Sequence, residues 1–413
     1  MNAKRGRRIF ASSLPLLAVV GAALVFTSRG RALDFPEFTP GVAYANDIVQ
    51  DAPLSIHIVR VDRTQSALEL QSAHAQNLAI GLAKLGGQMK MLKPDLGVAL
   101  AGVNGDFYER ARAYAGDPRG LQIVNGEVLS APLDTASFWV DAAGAPHTEK
   151  VASKFAITWS GGQTTPFGLN EDRTGSAAVL YTPAMGATTR TRTEGLELVL
   201  ERAGDGPWLP LKIGETLQAR VREIHHEANT PLTRETLVLS IGPVLVQKLP
   251  SAKVGDTLKI STASTPDVRG ARTAVSGGPV LVHHGQKQDW IAGARVIGAT
   301  GAYSVNSMSM QHPRSGLGWN DHYFYLVEVD GRQSFSRGMT LDELADYFLK
   351  LGCKEAMNLD GGGSATMWAN GRLVNSPCDA VGERDIANSL LVVRKKASPA
   401  GGPSAANQTP ASK

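Results

Sequence analysis

The sequence is poor in cysteine. Only Cys353 and Cys378 occur in 413 residues, so there is neither a four-cysteine nor a Cys/His zinc spacing. The two residues flank a run of glycines, and in an exported protein they can pair and staple that region. Two small buried thiols that stay free are the alternative. The sequence leaves both open.

The sequence also lacks an excess of charge of one sign. It has 42 Lys and Arg residues against 38 Asp and Glu residues, a formal net charge of +4 at pH 7. Surfaces that bind nucleic acid or anionic lipid concentrate positive charge, and this composition is nearly balanced. We therefore expect no nucleic-acid partner and no membrane contact through the folded part of the chain.

Apolar runs long enough to cross a membrane are missing as well. Leu14–Phe26 is mostly apolar, but a membrane span needs about 20 such residues. Arg7 and Arg8 precede this run as in a twin-arginine export signal, and small residues follow up to Ala32. We predict that residues 1–32 are a signal peptide, with an uncleaved N-terminal anchor as the alternative. The folded part would then be periplasmic or extracellular, and anchored to the inner membrane in the second case.

The residue pattern of the remaining chain changes three times along its length. Residues 50–150 and 266–396 contain buried strand patterns and turns, and we assign them to the two parts of one domain. Between them, residues 151–265 alternate short Thr- and Val-rich runs with Gly and Pro turns, as in a β-rich insertion. Residues 397–413 have almost no large apolar side chain and are predicted to be disordered.

Strand patterns outnumber helical ones. The clearest helix is Thr340–Leu351, where Thr340 and Glu343 form a capping-box pattern. Asn125-Gly126 and Asn370-Gly371 predict two-residue hairpin turns. We expect an α+β fold with a mixed β-sheet core, few helices and a β-rich inserted subdomain.

The most distinctive stretch is Asn358-Leu-Asp-Gly-Gly-Gly-Ser-Ala-Thr-Met367. Its Asp360 follows the strand pattern Glu355–Leu359, and ligands tend to bind where strands end. Gly361–Gly363 allow close backbone approach, so successive N–H groups can converge on an anion while Ser364 adds a hydroxyl donor. The Gly-Lys-Ser/Thr ending of a nucleotide-binding loop is missing. A tight turn relieved by glycine is the alternative.

A second strand ends in the same way. The small apolar run Gly97–Val103 leads into Asn104-Gly-Asp-Phe-Tyr108, so Asp106 is presented at a strand tip. An ordinary Asn-Gly turn is the alternative. If Asp106 and Asp360 face one site, the pair suits acid/base work on a glycosidic bond.

Three charged side chains are further candidates. Arg314 lies in a Gly- and Ser-containing loop and can grip phosphate with its planar fork, or it is a plain surface arginine. Glu383 and Arg384 precede the final strand as a polar cluster or a structural ion pair. The pairs His225-His226 and His283-His284 are predicted to be poor chelates, since neighbours on a strand point to opposite faces.

Together these motifs resemble the phosphodiester glycosidase family. The matching segments run in the family's order through residues 50–394, and the Asn358–Ser364 block is the most specific of them. The chain departs from the family pattern at Ser315-Gly316 and at Cys378. The remaining matching segments are Asn104–Phe107, Ser276–Pro279, His312–Arg314, Asp330–Gln333, Arg337–Leu341 and Glu383-Arg384.

The resemblance implies hydrolysis of a sugar-1-phosphodiester, such as one of N-acetylglucosamine, in surface or extracellular glycans. Alternatives are a phosphodiesterase that attacks phosphorus, or a non-catalytic glycan-binding protein of exopolysaccharide biogenesis. No particular cofactor is predicted, and Ca²⁺ held by Asp106 and Asp360 is an alternative. Asp106 and Asp360 are the candidate catalytic residues. The candidate substrate-binding residues are Asn104, Arg314, Asn358, Gly361, Gly362, Gly363, Ser364, Glu383 and Arg384.

Overall fold

A computed structural model of the chain describes residues 33–110, 113–192, 194–291 and 305–396. The predicted targeting segment and the predicted C-terminal tail therefore lie outside the described residues. Within the described ranges, no helix is long and apolar enough to cross a membrane.

The strands in the first half of the chain are short and closely spaced. In chain order they are β1 Glu37–Thr39, β2 Val42–Val49, β3 Leu54–Asp62, β4 Leu68–His74, β5 Val98–Asn104, β6 Gln122–Val124, β7 Glu127–Ser130, β8 Leu133–Val140, β9 Pro146–Thr158, β10 Thr164–Pro166, β11 Gly168–Leu169, β12 Ala178–Tyr181 and β13 Leu196–Arg202.

Strands also dominate the second half. They are β14 Thr216–His225, β15 Leu237–Ile241, β16 Thr257–Thr265, β17 Thr273–Ser276, β18 Val280–His283, β19 Gln286–Lys287, β20 Arg314–Trp319, β21 Tyr323–Val329, β22 Glu355–Asn358, β23 Met367–Ala369, β24 Arg372–Leu373 and β25 Asn388–Arg394. The described helices are α1 Leu85–Lys90, α2 Pro243–Val246, α3 Val305–Ser309 and α4 Leu341–Lys350, with 3₁₀ turns at Ala75–Asn77, Pro183–Met185 and Gly362–Ser364.

The predicted α+β class is wrong, because the chain is mostly β. Strands account for 44% of the described residues and helices for 10%. The predicted mixed sheet is also wrong, since only β11 and β12 pair in parallel among the described strands. Hairpin turns join many neighbours directly, and antiparallel pairing needs no crossover helix.

The described strands form three sheets. An eight-stranded sheet has the order β1-β2-β3-β21-β20-β22-β18-β19, and a five-stranded sheet has the order β24-β23-β5-β25-β4. The third and largest sheet runs from β6 to β17 and includes the segment 151–265. Nothing in the sheet order tests the predicted domain boundaries, which stay predictions.

The eight-stranded and five-stranded sheets share one apolar core. Leu317 and Met357 of the first pack with Val103 and Leu390 of the second, and all four are fully buried. Burial of such side chains stabilises the pairing by about 1.5–3 kcal/mol each relative to exposure. Because β5 and β22 both contribute to this core, their C-terminal ends are held at the same place.

Several local predictions are confirmed. Thr340 Oγ1 accepts the Glu343 N–H at 3.2 Å, and Glu343 Oε2 accepts the Thr340 N–H at 2.8 Å, which completes the capping box of α4. Asn125 and Asn370 each have positive φ, at 49° and 50°, in the predicted hairpin turns. Cys353 and Cys378 are both free, so of the two alternatives the disulfide does not form.

Candidate active site

Asn104, the last residue of β5, links the two sheets. Its Nδ2 donates to the Asp360 carbonyl oxygen at 2.6 Å. Its Oδ1 accepts the Ser315 hydroxyl at 2.6 Å and the Thr366 N–H at 3.1 Å. The side chain is 1% exposed, so all of these bonds form away from water. Asn104 is therefore an anchor for the site rather than a group that meets solvent.

Asp106 lies behind this anchor. Its N–H donates to Asn388 Oδ1 at 2.7 Å, and its own Oδ1 accepts the Phe107 N–H at 2.8 Å. The residue is 2% exposed, and among the described residues its Oδ2 has no hydrogen-bond partner. A buried carboxyl oxygen without a donor favours the protonated form of the acid.

Asp360 emerges one residue after Leu359, beyond the end of β22, as predicted. Its N–H donates to the Gly105 carbonyl at 2.9 Å, which seats it beside Asp106. Its Oδ1 accepts the Gly361 N–H at 2.9 Å. Asp360 is half-buried, so it has the access to solvent that Asp106 lacks.

The two carboxyl groups are electrostatically coupled. Burial raises the pKa of Asp360 to about 6, while the Ser364 hydroxyl and the charge of Arg384 lower it. Burial, with a smaller contribution from the charge of Asp360, raises the pKa of Asp106 well above its ordinary value. Asp360 therefore ionises first and Asp106 keeps its proton. Carboxyl pairs whose pKa values are pushed apart divide the roles of base and acid.

In the glycine loop, which is predicted to bind an anion through its amides, two of the three glycine N–H groups have partners inside the protein. The Gly362 N–H donates to the Pro313 carbonyl at 2.9 Å, and the Gly361 N–H goes to Asp360. Ser364 and Ala365 donate back to Gly361 and Gly362 within a 3₁₀ turn, both at 3.2 Å. These four amides are satisfied inside the protein, so neighbouring side chains are further candidates for binding an anion, and the predicted nest stays a prediction.

Arg384 explains the glycine at position 363. A Cβ there would lie 2.1 Å from Arg384 Nη2 and 2.3 Å from Asp379 Oδ1. Asp379 grips Arg384 in a bidentate pair at 2.7 and 3.0 Å, and Arg384 Nη1 donates to Ser364 Oγ at 3.3 Å. The predicted site residues Gly363, Ser364 and Arg384 therefore do lie together. In this contact the guanidinium of Arg384, which Asp379 holds in place, packs directly against the backbone of Gly363.

A second guanidinium lies over the same loop. Gly362 has φ +62°, and a Cβ built on it would approach Arg332 Nη2 to 3.2 Å. Arg332 is exposed, and its Nη2 is 3.3 Å from His312 Nδ1. Burial, together with the charges of Arg314 and Arg332, lowers the pKa of His312, which favours a neutral ring that accepts this bond. Arg332 and Arg384 thus flank the loop.

The fork predicted for Arg314 is committed elsewhere. The side chain is 6% exposed, its Nε donates to the Met339 carbonyl at 2.9 Å, and its Nη2 lies 2.7 Å from the Met310 carbonyl and 3.1 Å from that of Met308. Burial lowers its pKa to about 10. A guanidinium used this way supports the backbone at and after α3, and the predicted phosphate-binding role of Arg314 stays a prediction.

Asn358 and Glu383 also support the site from outside. Asn358 Nδ2 donates to the Gly278 carbonyl at 2.8 Å, and the residue is 1% exposed. Glu383 Oε1 accepts the Trp368 indole N–H at 3.0 Å. Asn358 Oδ1 has no hydrogen-bond partner among the described residues, and the substrate contacts predicted for Asn358 and Glu383 stay predictions.

Sequence reasoning missed several neighbours of Asp360. The Tyr108 hydroxyl donates to the Asp385 carbonyl at 3.1 Å, and Tyr108 feels the charges of both Asp360 and Arg384. The charge of Arg110 also lowers the pKa of Asp360. Tyr108 and Arg332 each belong to a recognised motif, so reading every polar position of those motifs would have found them.

One histidine prediction is wrong. His283 Nδ1 is 2.8 Å from Glu355 Oε2, and His284 Nδ1 is 3.2 Å from Glu355 Oε1. β18 ends at His283, and His284 has φ 51°, so the alternation of a strand no longer applies. Both rings therefore meet one carboxylate at the surface.

The Ca²⁺ alternative does not fit this arrangement. Ca²⁺ takes 6–8 oxygen ligands. Asp106 is held in its acid form, and Asp360 is surrounded by the positive charges of Arg110, Arg384 and Arg314. Guanidinium groups repel a divalent cation, so no catalytic step is derived through one.

Fold and site thus define a mostly β protein with a coupled pair of carboxyl groups beside guanidinium side chains. Residues 222–393 match the family model described as phosphodiester glycosidase, and the resemblance to that family is confirmed.

Curated relatives match over short stretches. N-acetylglucosamine-1-phosphodiester alpha-N-acetylglucosaminidase is 50% identical over 54 residues in Bos taurus, covering 13% of this chain and 10% of that protein. The Homo sapiens enzyme is 41% identical over 86 residues, covering 19% and 15%. An uncharacterized SPbeta prophage-derived protein of Bacillus subtilis, YomE, is 34% identical over 86 residues, covering 21% and 13%. The matches span a small part of the relatives' lengths.

Two solved structures share the fold. A hypothetical protein from Synechocystis superposes with a TM-score of 0.66 at 19% identity, covering 89% of this chain and 64% of that one. A putative exported protein from Burkholderia pseudomallei gives 0.62 at 21% identity, covering 82% and 74%. At these identities the likeness concerns the fold alone.

Proposed function

We propose that this protein hydrolyses the bond between the anomeric carbon of a sugar and a phosphodiester, in an exported setting. The observation that carries the proposal is the coupled pair Asp106 and Asp360, with Arg332 and Arg384 beside the loop that follows. The family match supports the same reaction class. Export rests on the predicted signal in residues 1–32, and fractionation of the producing cell tests it.

The two carboxyl groups have different tasks. Asp360 is accessible and ionises at a pKa of about 6, so at neutral pH it can accept a proton from an attacking water. Asp106 lies behind Asp360 and keeps its proton, so it adds no second negative charge to the site. The water oxygen bonds to the anomeric carbon, the bond from that carbon to the phosphate oxygen breaks, and the phosphomonoester leaves.

Guanidinium groups hold the phosphate in this proposal. Arg384 is fixed by its bidentate pair with Asp379, and exposed Arg332 completes the positive side of the loop. Charge-assisted bonds to phosphate suit this planar group. A phosphomonoester is a good leaving group, so neutralising its charge matters more than protonating it.

Asp360→Asn and Asp106→Asn test the proposal on the methyl diester of N-acetylglucosamine 1-phosphate. We expect Asp360→Asn to lose activity by about 100-fold or more, as for a general base. The matched control is Asp205→Asn, since Asp205 is exposed in the loop between β13 and β14 of the largest sheet. Full activity of a folded Asp360→Asn variant would overturn the proposal. Binding of glycan without turnover by the wild type would instead favour a binding protein.

A further inference from the structure

A second polar cluster lies buried in the eight-stranded sheet. Glu328 of β21 is directly opposite His57 of β3, so their side chains share one face. Asp330 follows the end of β21 on the same face. One ligand atom from each of these three residues lies within 4.8 Å of the others. Their exposures are 3% for His57, 0% for Glu328 and 2% for Asp330.

Glu328 is the unexplained member of this cluster. Both of its carboxylate oxygens lack a hydrogen-bond partner among the described residues. Asn375 lies near Glu328, but the two side chains do not meet hydrogen-bond geometry. A buried carboxyl without a partner costs stability unless it is protonated or binds a cation.

The other two side chains are oriented as ligands usually are. His57 Nδ1 is 2.8 Å from the Tyr44 hydroxyl oxygen, which can accept the Nδ1–H and leave the Nε2 lone pair facing Asp330 and the Ser55 hydroxyl, 3.1 Å away. His57 Nε2 is 3.0 Å from Asp330 Oδ2, and Asp330 Oδ1 accepts the Ser376 N–H at 2.7 Å. Outer partners of this kind fix the tautomer and orientation of metal ligands.

From this geometry we propose that His57, Glu328 and Asp330 bind one divalent transition-metal ion. One imidazole nitrogen and two carboxylate oxygens are a donor set that zinc and manganese accept. The two negative charges balance the ion, and Glu328 gains the partner that it lacks. Since all three residues are buried, the ion enters during folding, as for structural metal sites.

The proposed metal site is linked to the candidate active site but does not depend on its function. Glu328 is opposite Ser315 across β20 and β21, and the Ser315 hydroxyl donates to Asn104 Oδ1 at 2.6 Å. Asn104 in turn holds the Asp360 carbonyl. The ion would stabilise the paired strands β20 and β21, which support Asp360 through Ser315 and Asn104. It would not contact substrate.

Metal analysis of the full chain, refolded with ZnCl₂ or MnCl₂ and then dialysed, tests the site. We expect a stoichiometric ion in the wild type, its loss in Glu328→Gln, and retention in a His283→Ala/His284→Ala control that removes the surface cluster. Tyr44→Phe should weaken affinity by about 10–100-fold through the lost outer contact. Should Glu328→Gln fail to fold, His57→Gln replaces it, with cobalt absorption as the readout. A metal-free wild type, or metal lost only in the double histidine variant, would overturn the proposal.

Discussion

The Nδ2 of Asn104 donates to the backbone carbonyl of Asp360 at 2.6 Å, which joins the end of β5 to the residue beyond β22. Two strands of different sheets, far apart in sequence, are thereby fixed at one point. The carboxyl of Asp106 follows from the first strand and that of Asp360 from the second. This relationship explains why the motif at residue 104 and the motif at residue 358 belong to one site.

Replacing Asn104 should therefore damage the site and the fold together. Asn104→Ala leaves the Ser315 hydroxyl and the Thr366 N–H without their acceptor, and an unsatisfied buried group costs about 1–3 kcal/mol. Asn170→Ala is a matched control, since Asn170 is also 1% exposed and bridges backbone through both side-chain atoms. Denaturant unfolding should show a loss in both variants, whereas kcat should fall only in Asn104→Ala. Equal kcat in the two variants would separate Asn104 from the site.

The glycine at position 362 should be required for two reasons. Gly362→Ala forces a residue with a Cβ to φ +62°, at a cost of about 1–2 kcal/mol, and pushes on Arg332. Gly371 has φ +77°, and a Cβ built on it would meet no atom within 4 Å. Gly371→Ala is therefore a control that adds backbone strain without a steric contact. We expect both variants to melt earlier and only Gly362→Ala to lose turnover. Loss of turnover in both would trace the effect to stability.

Replacing Arg332 should weaken substrate binding, whereas replacing Arg314 should lower stability. Arg332 is exposed beside the loop, so Arg332→Gln should raise KM by about 10–100-fold, the worth of a charged hydrogen bond, with an unchanged melting temperature. Arg314→Gln should lower the melting temperature, because buried backbone carbonyls lose their donors. Steady-state kinetics and calorimetry on both variants decide the assignment. A raised KM with native stability in Arg314→Gln would instead support its predicted phosphate-binding role.

Stability should fall as pH rises through the pKa of Asp360. In the folded chain that pKa is raised to about 6, whereas an unfolded Asp titrates at about 3.9. The folded state therefore binds the proton more tightly, and this contribution is complete below the unfolded pKa and lost above the folded one. The melting temperature of the wild type minus that of Asp360→Asn, measured between acid and neutral pH, should fall as the pH rises and should level off above the folded pKa. A constant difference would show that Asp360 is not perturbed.

Structural features that depend on a few neighbouring residues could be predicted from local sequence patterns. The capping box of Thr340 and Glu343 and the hairpin at Asn370-Gly371 depend on a few adjacent positions, and both are as predicted. The strand ends that present Asp106 and Asp360 are also local features. The α+β class is wrong because local sequence shows the one strongly patterned helix clearly, whereas it does not show how the many short strands pair.

Long-range contacts could not be predicted in this way. Arg314 was assigned to phosphate from its loop composition, but its partners are carbonyls that only tertiary packing brings to it. The Gly362 N–H is taken by Pro313, a contact between strand ends that composition does not encode. Glu328 looks like an ordinary strand residue until its pairing with His57 is known.

The most direct measurement is hydrolysis of the N-acetylglucosamine 1-phosphate methyl diester in water enriched in heavy oxygen, followed by mass spectrometry of both products. Attack of water at the anomeric carbon, assisted by Asp360, puts the label in the released sugar. We expect the label in the sugar and none in the methyl phosphate. Label in the phosphate would mean that water attacks phosphorus, which would contradict the role proposed for Asp106 and Asp360.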